Sequence, residues 1–249
     1  MNNKGWEAES NRREIKSRRG PRGIAGSNLG IFLMVALAAG NDRARCQITG
    51  EAREECHLTV MVYTYAPIPQ HDLATAERVA GKILQSAGVE LSWVDCPLTG
   101  QTAQLNPVCT APHTPTDIHL NIAPDLAKDP WVGKFGMGFA VVTPPPNRGQ
   151  LVFISYARAR RVLLEAHELT LGELLGHGIA HEIGHLLLGT TSHSPSGLMC
   201  ADWKTQELKL AARSQLRFSA DQAVTIRRDV RARRAQQEAA ESHHVAFQK

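Results

Sequence analysis

The chain has 249 residues, of which 43% are hydrophobic and 5% aromatic, enough for one sizeable core. Its formal net charge is +4, but residues 1–23 alone hold seven Lys or Arg against three Glu and so account for all of it. The remainder is neutral overall, which leaves no argument from charge for a nucleic acid or an acidic partner.

A short apolar stretch follows this basic segment. Residues 29–39 are apolar, and Ala36-Leu37-Ala38 has the small-x-small form that a signal peptidase accepts. The stretch is shorter than the ~20 residues that a membrane span needs. We predict that residues 1–45 are a secretory signal peptide and linker, and that the mature protein is secreted or periplasmic with no stable membrane span. An uncleaved signal anchor and a start codon placed too far upstream are the alternatives.

The predicted strands lie between residues 58 and 156. Residues 58–65 are β-branched and aromatic, residues 89–95 and 117–122 alternate between apolar and polar side chains, and residues 151–156 are mainly apolar. Residues 136–142 contain two glycines, which weaken a central strand. This strand is therefore expected at a sheet edge or where another backbone approaches.

Three helices are predicted from apolar residues at helical spacing, and each has a signal at one end or both. These signals are Asp72 as cap and Gly88 as end of the first, the Thr170/Glu173 capping box and Gly189 of the second, and Ser219 as cap of the third, which runs to about Ala235. The elements indicate an α+β or α/β domain over residues 46–236, with one sheet backed by two main helices. A polar disordered tail is expected over residues 237–249.

The last predicted helix is rich in arginine. Acidic and Gln residues are interleaved with these cations, so a solvated helix face is expected rather than a surface for anions. The residues are Arg227, Arg228, Arg231, Arg233 and Arg234.

Five cysteines follow the predicted leader. In an exported protein they can pair, Cys96 with Cys109 across a proline-containing loop and Cys46 with Cys56, which leaves Cys200 over. Buried free thiols are nearly as well supported. No CxxC pair occurs, so a structural zinc knuckle is not expected.

The most informative motif is His181-Glu182-Ile183-Gly184-His185. Histidines four residues apart lie on one face of a helix, so both ring nitrogens can reach one ion at ~2.0–2.1 Å. Glu182 can lie beside the ion and accept a proton from its water. Gly189 permits a sharp turn that can bring His193 back as a third ligand. Three protein ligands and one open position are typical of a catalytic site with a single Zn2+ ion.

His177 extends the histidine series but cannot join the same ion. Eight helical residues span ~12 Å, so His177, His181 and His185 cannot share one metal. The pair His177/His181 would place Gly178 where the base should stand. We therefore predict that His177 packs near the site or supports a ligand.

The segment from Leu169 to Trp203 resembles the metzincin clan of zinc endopeptidases, whose members share an active-site helix, a glycine turn, a third histidine and a Met-turn. The amino-acid sequence of this segment also resembles a group of uncharacterised exported bacterial proteins. The resemblance implies a zincin-like α+β fold. Such a fold has one twisted, mostly parallel sheet with an antiparallel edge strand, a backing helix, an active-site helix and a small helical C-terminal subdomain.

The same resemblance implies roles for further residues. Met199 would lie under the metal as the Met-turn residue. Residues 136–142 would form the edge strand, along which a peptide substrate binds by strand addition at Gly138, Phe139 and Ala140. Tyr156 is the candidate for the tyrosine that often assists oxyanion stabilisation in this clan.

The spacing of the third histidine departs from the metzincin pattern. Metzincins place the glycine three and the third histidine six residues after the second histidine, whereas Gly189 is four and His193 eight residues after His185. Asp202 is the rival third ligand, since Asp fills that role in another zincin group. His193 is preferred, because it follows the turn and precedes Met199.

These observations predict a secreted zinc-dependent endopeptidase that hydrolyses peptide bonds with a zinc-activated water and Glu182 as general base. Its partners would be peptide or protein substrates and not nucleic acid. One alternative is a catalytically inactive zincin-fold binding protein of the envelope or surface, against which the intact HExxH motif argues. Another is hydrolysis of a non-peptide substrate at the same metal.

Overall fold

The structure, a computed structural model, describes residues 56–98, 106–126 and 136–247, with side chains as far as residue 243. The predicted signal segment and Cys46 lie outside the described residues. Among the helices of the described part, none is long and apolar enough to cross a membrane.

The described residues form five strands and six helices. The strands are β1 (His57–Thr64), β2 (Glu90–Asp95), β3 (Asp117–Ala123), β4 (Gly138–Ala140) and β5 (Leu151–Ser155). The helices are α1 (Gln70–Ser86), α2 (Pro107–Thr110), α3 (Tyr156–Leu163), α4 (Leu171–Leu188), α5 (Thr205–Ala212) and α6 (Ala220–Phe247).

The strands form one sheet in the order β2-β1-β3-β5-β4. The first four are parallel to one another, whereas β4 pairs antiparallel with β5 through Gly138↔Ile154 and Ala140↔Val152. The predicted α+β class and the mostly parallel sheet with an antiparallel edge strand are therefore confirmed.

The core lies between this sheet and the helices α1 and α4. Side chains of a strand alternate between the two faces of a sheet, so every second residue is buried. Met61, on the other face of β1, is also buried, and the buried apolar set that faces the helices is Leu58, Val60, Val62, Ile118, Leu120, Ile122, Val152 and Ile154. These side chains join one cluster with the apolar residues of α1 and α4, which pack against each other. Full burial of each such side chain stabilises the fold by about 1.5–3 kcal/mol.

The helix ends agree with the predicted signals in most places. Thr170 and Glu173 form both hydrogen bonds of a capping box, and Ser219 Oγ accepts from the Gln222 N–H. The predicted cap Asp72 is wrong, because α1 begins at Gln70 after Pro69, whose carbonyl accepts from the Asp72 N–H. Proline is favoured at helix starts because its fixed φ suits the first turn.

Helix α3 was not predicted. It follows β5 without a loop, and Ser155 Oγ accepts from the Arg158 N–H as its cap. Ser155, a residue type that often caps a helix, was the available signal. The predicted strand over residues 151–156 included Ser155, so the helix start was not recognised.

Helix α6 continues to Phe247, twelve residues beyond its predicted end near Ala235. The added residues are mainly good helix formers, and pairs four residues apart support them, such as Arg234 with Glu238 (2.8 Å) and Gln237 with Glu241 (2.9 Å). Residues 237–247, predicted as a disordered tail, are therefore helical.

The expected solvated arginine face of α6 is wrong for Arg233, which is 0% exposed. Its guanidinium donates to Asp229 Oδ2 (2.6 Å), to the Pro115 carbonyl (3.1 Å) and to the Gly149 carbonyl (3.0 Å). Asp229 also pairs with Arg148. A buried cation is costly unless it is paired and hydrogen-bonded, and these partners meet that requirement. The same bonds connect α6 to the segments that precede β3 and β5.

The predicted Cys96–Cys109 disulfide is present and closes the loop after β2. Cys200 carries a free thiol. The pairing of Cys46 with Cys56 stays a prediction, because Cys46 lies outside the described residues.

Replacing Arg233 by Met should lower the free energy of unfolding by about 3–5 kcal/mol, because the partly buried Asp229 and two carbonyls lose a donor. The exposed neighbour Arg234 provides the matched control, and Arg234→Met should change stability by less than about 0.5 kcal/mol. Urea unfolding of both variants measures the difference. Equal losses in the two variants would contradict the role given to Arg233.

Glu77 on α1 should make stability depend on pH. Its Oε1 is buried without a hydrogen-bond partner among the described residues, and burial, followed by the charge of Asp95, raises its pKa from 4.5 to about 7. Between pH 4.5 and about 7, the folded state therefore keeps a proton on Glu77 that the unfolded state has released. The free energy of unfolding falls as the pH rises through this range. Urea unfolding at pH 5 and pH 8 should show Glu77→Gln gaining stability over wild type mainly at pH 8. A pH-independent difference would contradict this assignment.

Candidate metal centre

Helix α4 and the turn after it carry the predicted ligands. His181 and His185 lie one turn apart on α4, and Gly189 ends the helix with φ 63°. This left-handed conformation suits glycine, which lacks a Cβ. The chain then turns back, and His193 comes to lie beside the two helical histidines.

The side-chain nitrogens of His181, His185 and His193 converge, with one ligand atom from each lying within 4.8 Å of the others. The Nε2 atoms of His181 and His185 are 3.1 Å apart, and those of His185 and His193 are 3.3 Å apart. Two nitrogen ligands at ~2.0–2.1 Å from one tetrahedral ion would be separated by about 3.3 Å. The observed separations therefore fit a shared metal ion.

Backbone carbonyls determine which ring nitrogens carry protons. Nδ1 of His181 lies 2.7 Å from the Leu198 carbonyl oxygen, and Nδ1 of His185 lies 2.8 Å from that of Thr190. A carbonyl oxygen only accepts, so both Nδ1 atoms must donate. In the neutral rings, both Nε2 atoms then present lone pairs to each other.

The local environment keeps these rings neutral. Burial, followed by the neighbouring His185, lowers the pKa of His181 to about 3. Burial also lowers the pKa of His185 and of His193. A cation between two neutral acceptors that face each other satisfies both, and imidazole nitrogens are ligands that zinc prefers. The donor set therefore fits a zinc ion.

Glu182 lies beside this cluster but outside it. Its side chain is buried in the same cavity, and burial raises its pKa to about 8. A Cβ built at Gly138 would lie 3.2 Å from Glu182 Cγ, so β4 passes directly against the side chain of Glu182.

Met199 packs beneath the ligand helix. It is buried, and its Sδ would lie 2.7 Å from a Cβ at Gly184, as would Phe218 Cε1. The lack of a side chain at 184 thus lets the turn around Met199 approach α4 between its two ligand histidines. The role of Met199 as a Met-turn residue under the metal stays a prediction.

A cavity of about 590 Å³ opens over the cluster. Residues 136–142, which include Gly138, Phe139 and Ala140, form one wall, and residues 200–203 form another. Gly178, Glu182 and the three histidines lie between these walls, with Val162 and Thr191 completing the lining.

The structure separates three other predicted residues from the nitrogen cluster. Asp202 lines the cavity but does not belong to the cluster. His177 is buried, with Nδ1 2.8 Å from the Glu173 carbonyl oxygen. Tyr156 begins α3 beneath the Arg160 guanidinium and does not line the cavity, so the structure does not support its predicted part at the oxyanion.

Two apolar residues that line the cavity, Val162 and Trp203, were not among the predicted site residues. For Trp203, an aromatic residue just after the Met-turn was the available signal. No signal in the sequence indicated Val162, because helix α3, on which it lies, was not predicted.

Comparisons with known proteins add little. No protein-family model and no curated protein matches the chain. Among solved structures, archaemetzincin from Methanopyrus kandleri is 16% identical, and the match covers 70% of this chain and 96% of that one with a TM-score of 0.41. At this TM-score, the likeness carries no argument about activity.

Zinc affinity should distinguish the two candidates for the third ligand. We expect His193→Ala to weaken zinc binding by more than the ~10–100-fold typical of losing an outer partner of a ligand. Asp202→Ala should leave it unchanged, because Asp202 lies outside the nitrogen cluster. Competition with a chelating indicator measures both. The reverse order of effects would assign the third position to Asp202.

Proposed function

We propose that the protein is an exported zinc-dependent endopeptidase of the metzincin type. The observation that carries the proposal is the convergence of three imidazole nitrogens beside the buried carboxyl group of Glu182, in a cavity bordered by an edge strand.

His181, His185 and His193 would hold one zinc ion. When bound, zinc supplies Lewis-acid chemistry, since it lowers the pKa of water and polarises a carbonyl group. Glu182 would accept a proton from the attacking water and pass it to the leaving amine. A neighbouring dication favours the carboxylate form that this step requires, opposing the effect of burial.

Strand β4 would bind the substrate. It is an edge strand of the sheet and pairs only with β5 among the described strands, so a peptide can add beside it through main-chain hydrogen bonds. Gly138, Phe139 and Ala140 border the cavity, and Gly138 lies against Glu182. This placement supports a peptide bond held next to the general base.

Two features support export. Residues 1–45 contain a basic segment, a short apolar stretch and small residues in the order typical of a signal peptide. The Cys96–Cys109 disulfide suits an oxidising compartment.

Glu182→Gln should lower peptide hydrolysis by about 10²–10⁴-fold, the usual contribution of a general base, while the zinc content stays at one ion per chain. Asp202→Asn is the matched control, because it neutralises a carboxylate of the same cavity that lies outside the cluster. Casein and a quenched peptide library report activity, and metal analysis reports zinc.

Retained hydrolysis in zinc-loaded Glu182→Gln would contradict the role of Glu182. Zinc-loaded wild type that cleaves neither substrate would instead favour the non-cutting binding protein or a non-peptide substrate. Removal of zinc by a chelator should abolish hydrolysis, and added zinc should restore it.

A further inference from the structure

Trp203 lies next to the metal cluster without belonging to it. Its indole ring packs edge-on against His181, with centroids 5.9 Å apart and planes at 79°, and in the same manner against His177 at 6.2 Å and 88°. One side of the tryptophan also lines the cavity.

The indole N–H donates to the Leu198 carbonyl oxygen at 3.1 Å. This is the oxygen that accepts from Nδ1 of His181 at 2.7 Å. A carbonyl oxygen has two lone pairs and can accept both bonds. Trp203 and His181 are therefore joined through one buried main-chain atom.

The two helical ligands differ in how their carbonyl partners are held. Thr190 directly follows the helix cap Gly189 and lies five residues from His185, so the end of α4 itself places its oxygen. Leu198 lies 17 residues beyond His181 and outside any helix or strand. A local turn holds the chain on both sides of Leu198, since the Cys200 N–H donates to the Gly197 carbonyl at 3.1 Å and the Ser194 N–H donates to the Met199 carbonyl at 2.8 Å. The Trp203 N–H acts on the Leu198 oxygen itself.

We propose that Trp203 is a positioning residue for His181. Its N–H fixes the direction of the Leu198 carbonyl, which holds the proton of His181 on Nδ1 and aims Nε2 at the metal. Its ring restricts rotation of the imidazole from the side. The inference rests on the proposed zinc site but not on peptidase activity.

Trp203→Phe tests this, because it keeps an aromatic ring and removes the N–H. Trp93→Phe on β2, the strand at the sheet edge opposite β4, is the matched control. Zinc affinity, measured by competition with a chelating indicator, should fall about tenfold in Trp203→Phe, as for loss of an outer partner of a ligand, and stay unchanged in Trp93→Phe. The visible spectrum of the cobalt-loaded protein should change in Trp203→Phe alone.

A second measurement uses the metal-free protein. Nitrogen-15 NMR should show His181 protonated on Nδ1 in wild type and in Trp93→Phe, and as a mixture of tautomers in Trp203→Phe. If Trp203→Phe does not fold, as judged by circular dichroism, site-specific benzothienylalanine at 203 replaces the N–H by sulfur at nearly constant size.

The outcomes separate this inference from the proposed function. Equal zinc affinity and the same His181 tautomer in Trp203→Phe and Trp93→Phe would overturn the role of Trp203. Failure of wild type to bind zinc would overturn the proposed function, and the tautomer in the metal-free protein would still decide whether Trp203 positions His181.

Discussion

Two imidazole lone pairs that face each other at 3.1 Å create a site that attracts a positive charge, and the structure around His181 and His185 holds them in that arrangement. Carbonyl oxygens take both Nδ1 protons, burial keeps His181 neutral, and the i,i+4 spacing on α4 sets the separation. A bound cation would offset the cost of placing these unshared lone pairs in a largely buried site. The case for a metal centre in this fold therefore depends on the facing Nε2 atoms of His181 and His185.

The rest of the fold keeps α4 in place. Its other faces pack on α1 and on the sheet, so the ligands project from a helix that belongs to the core. The turn around Met199 reaches the underside of α4 at Gly184, and β4 lies against Glu182. Arg233 binds α6 to the segments that precede β3 and β5, which lie where these two strands begin. The groups of the candidate site thus come from one short stretch of chain, residues 181–193, whereas the elements that pack around it come from separate parts of the sequence.

Local patterns made part of this arrangement predictable. The histidine spacing, the capping box at Thr170 and the glycine at 189 each have a signature within a few residues, and the structure agrees with the helix that they define. The lone glycine-bearing segment correctly indicated an edge strand. Long-range contacts left no such signature. Arg233 looks like any surface cation until its three oxygen acceptors, two of them distant in sequence, are known. The acceptor of His181 is a main-chain oxygen, which every residue type provides.

That last property has a bearing on how the site tolerates genetic change. Because Leu198 and Thr190 act through main-chain oxygens, replacing either side chain leaves the acceptor in existence. Adding or deleting a residue between Gly189 and Leu198 would instead move both His193 and the oxygen that orients His181. The site therefore constrains the number of residues in this loop, whereas at Thr190 and Leu198 it depends on the main chain and not on the identity of the side chain.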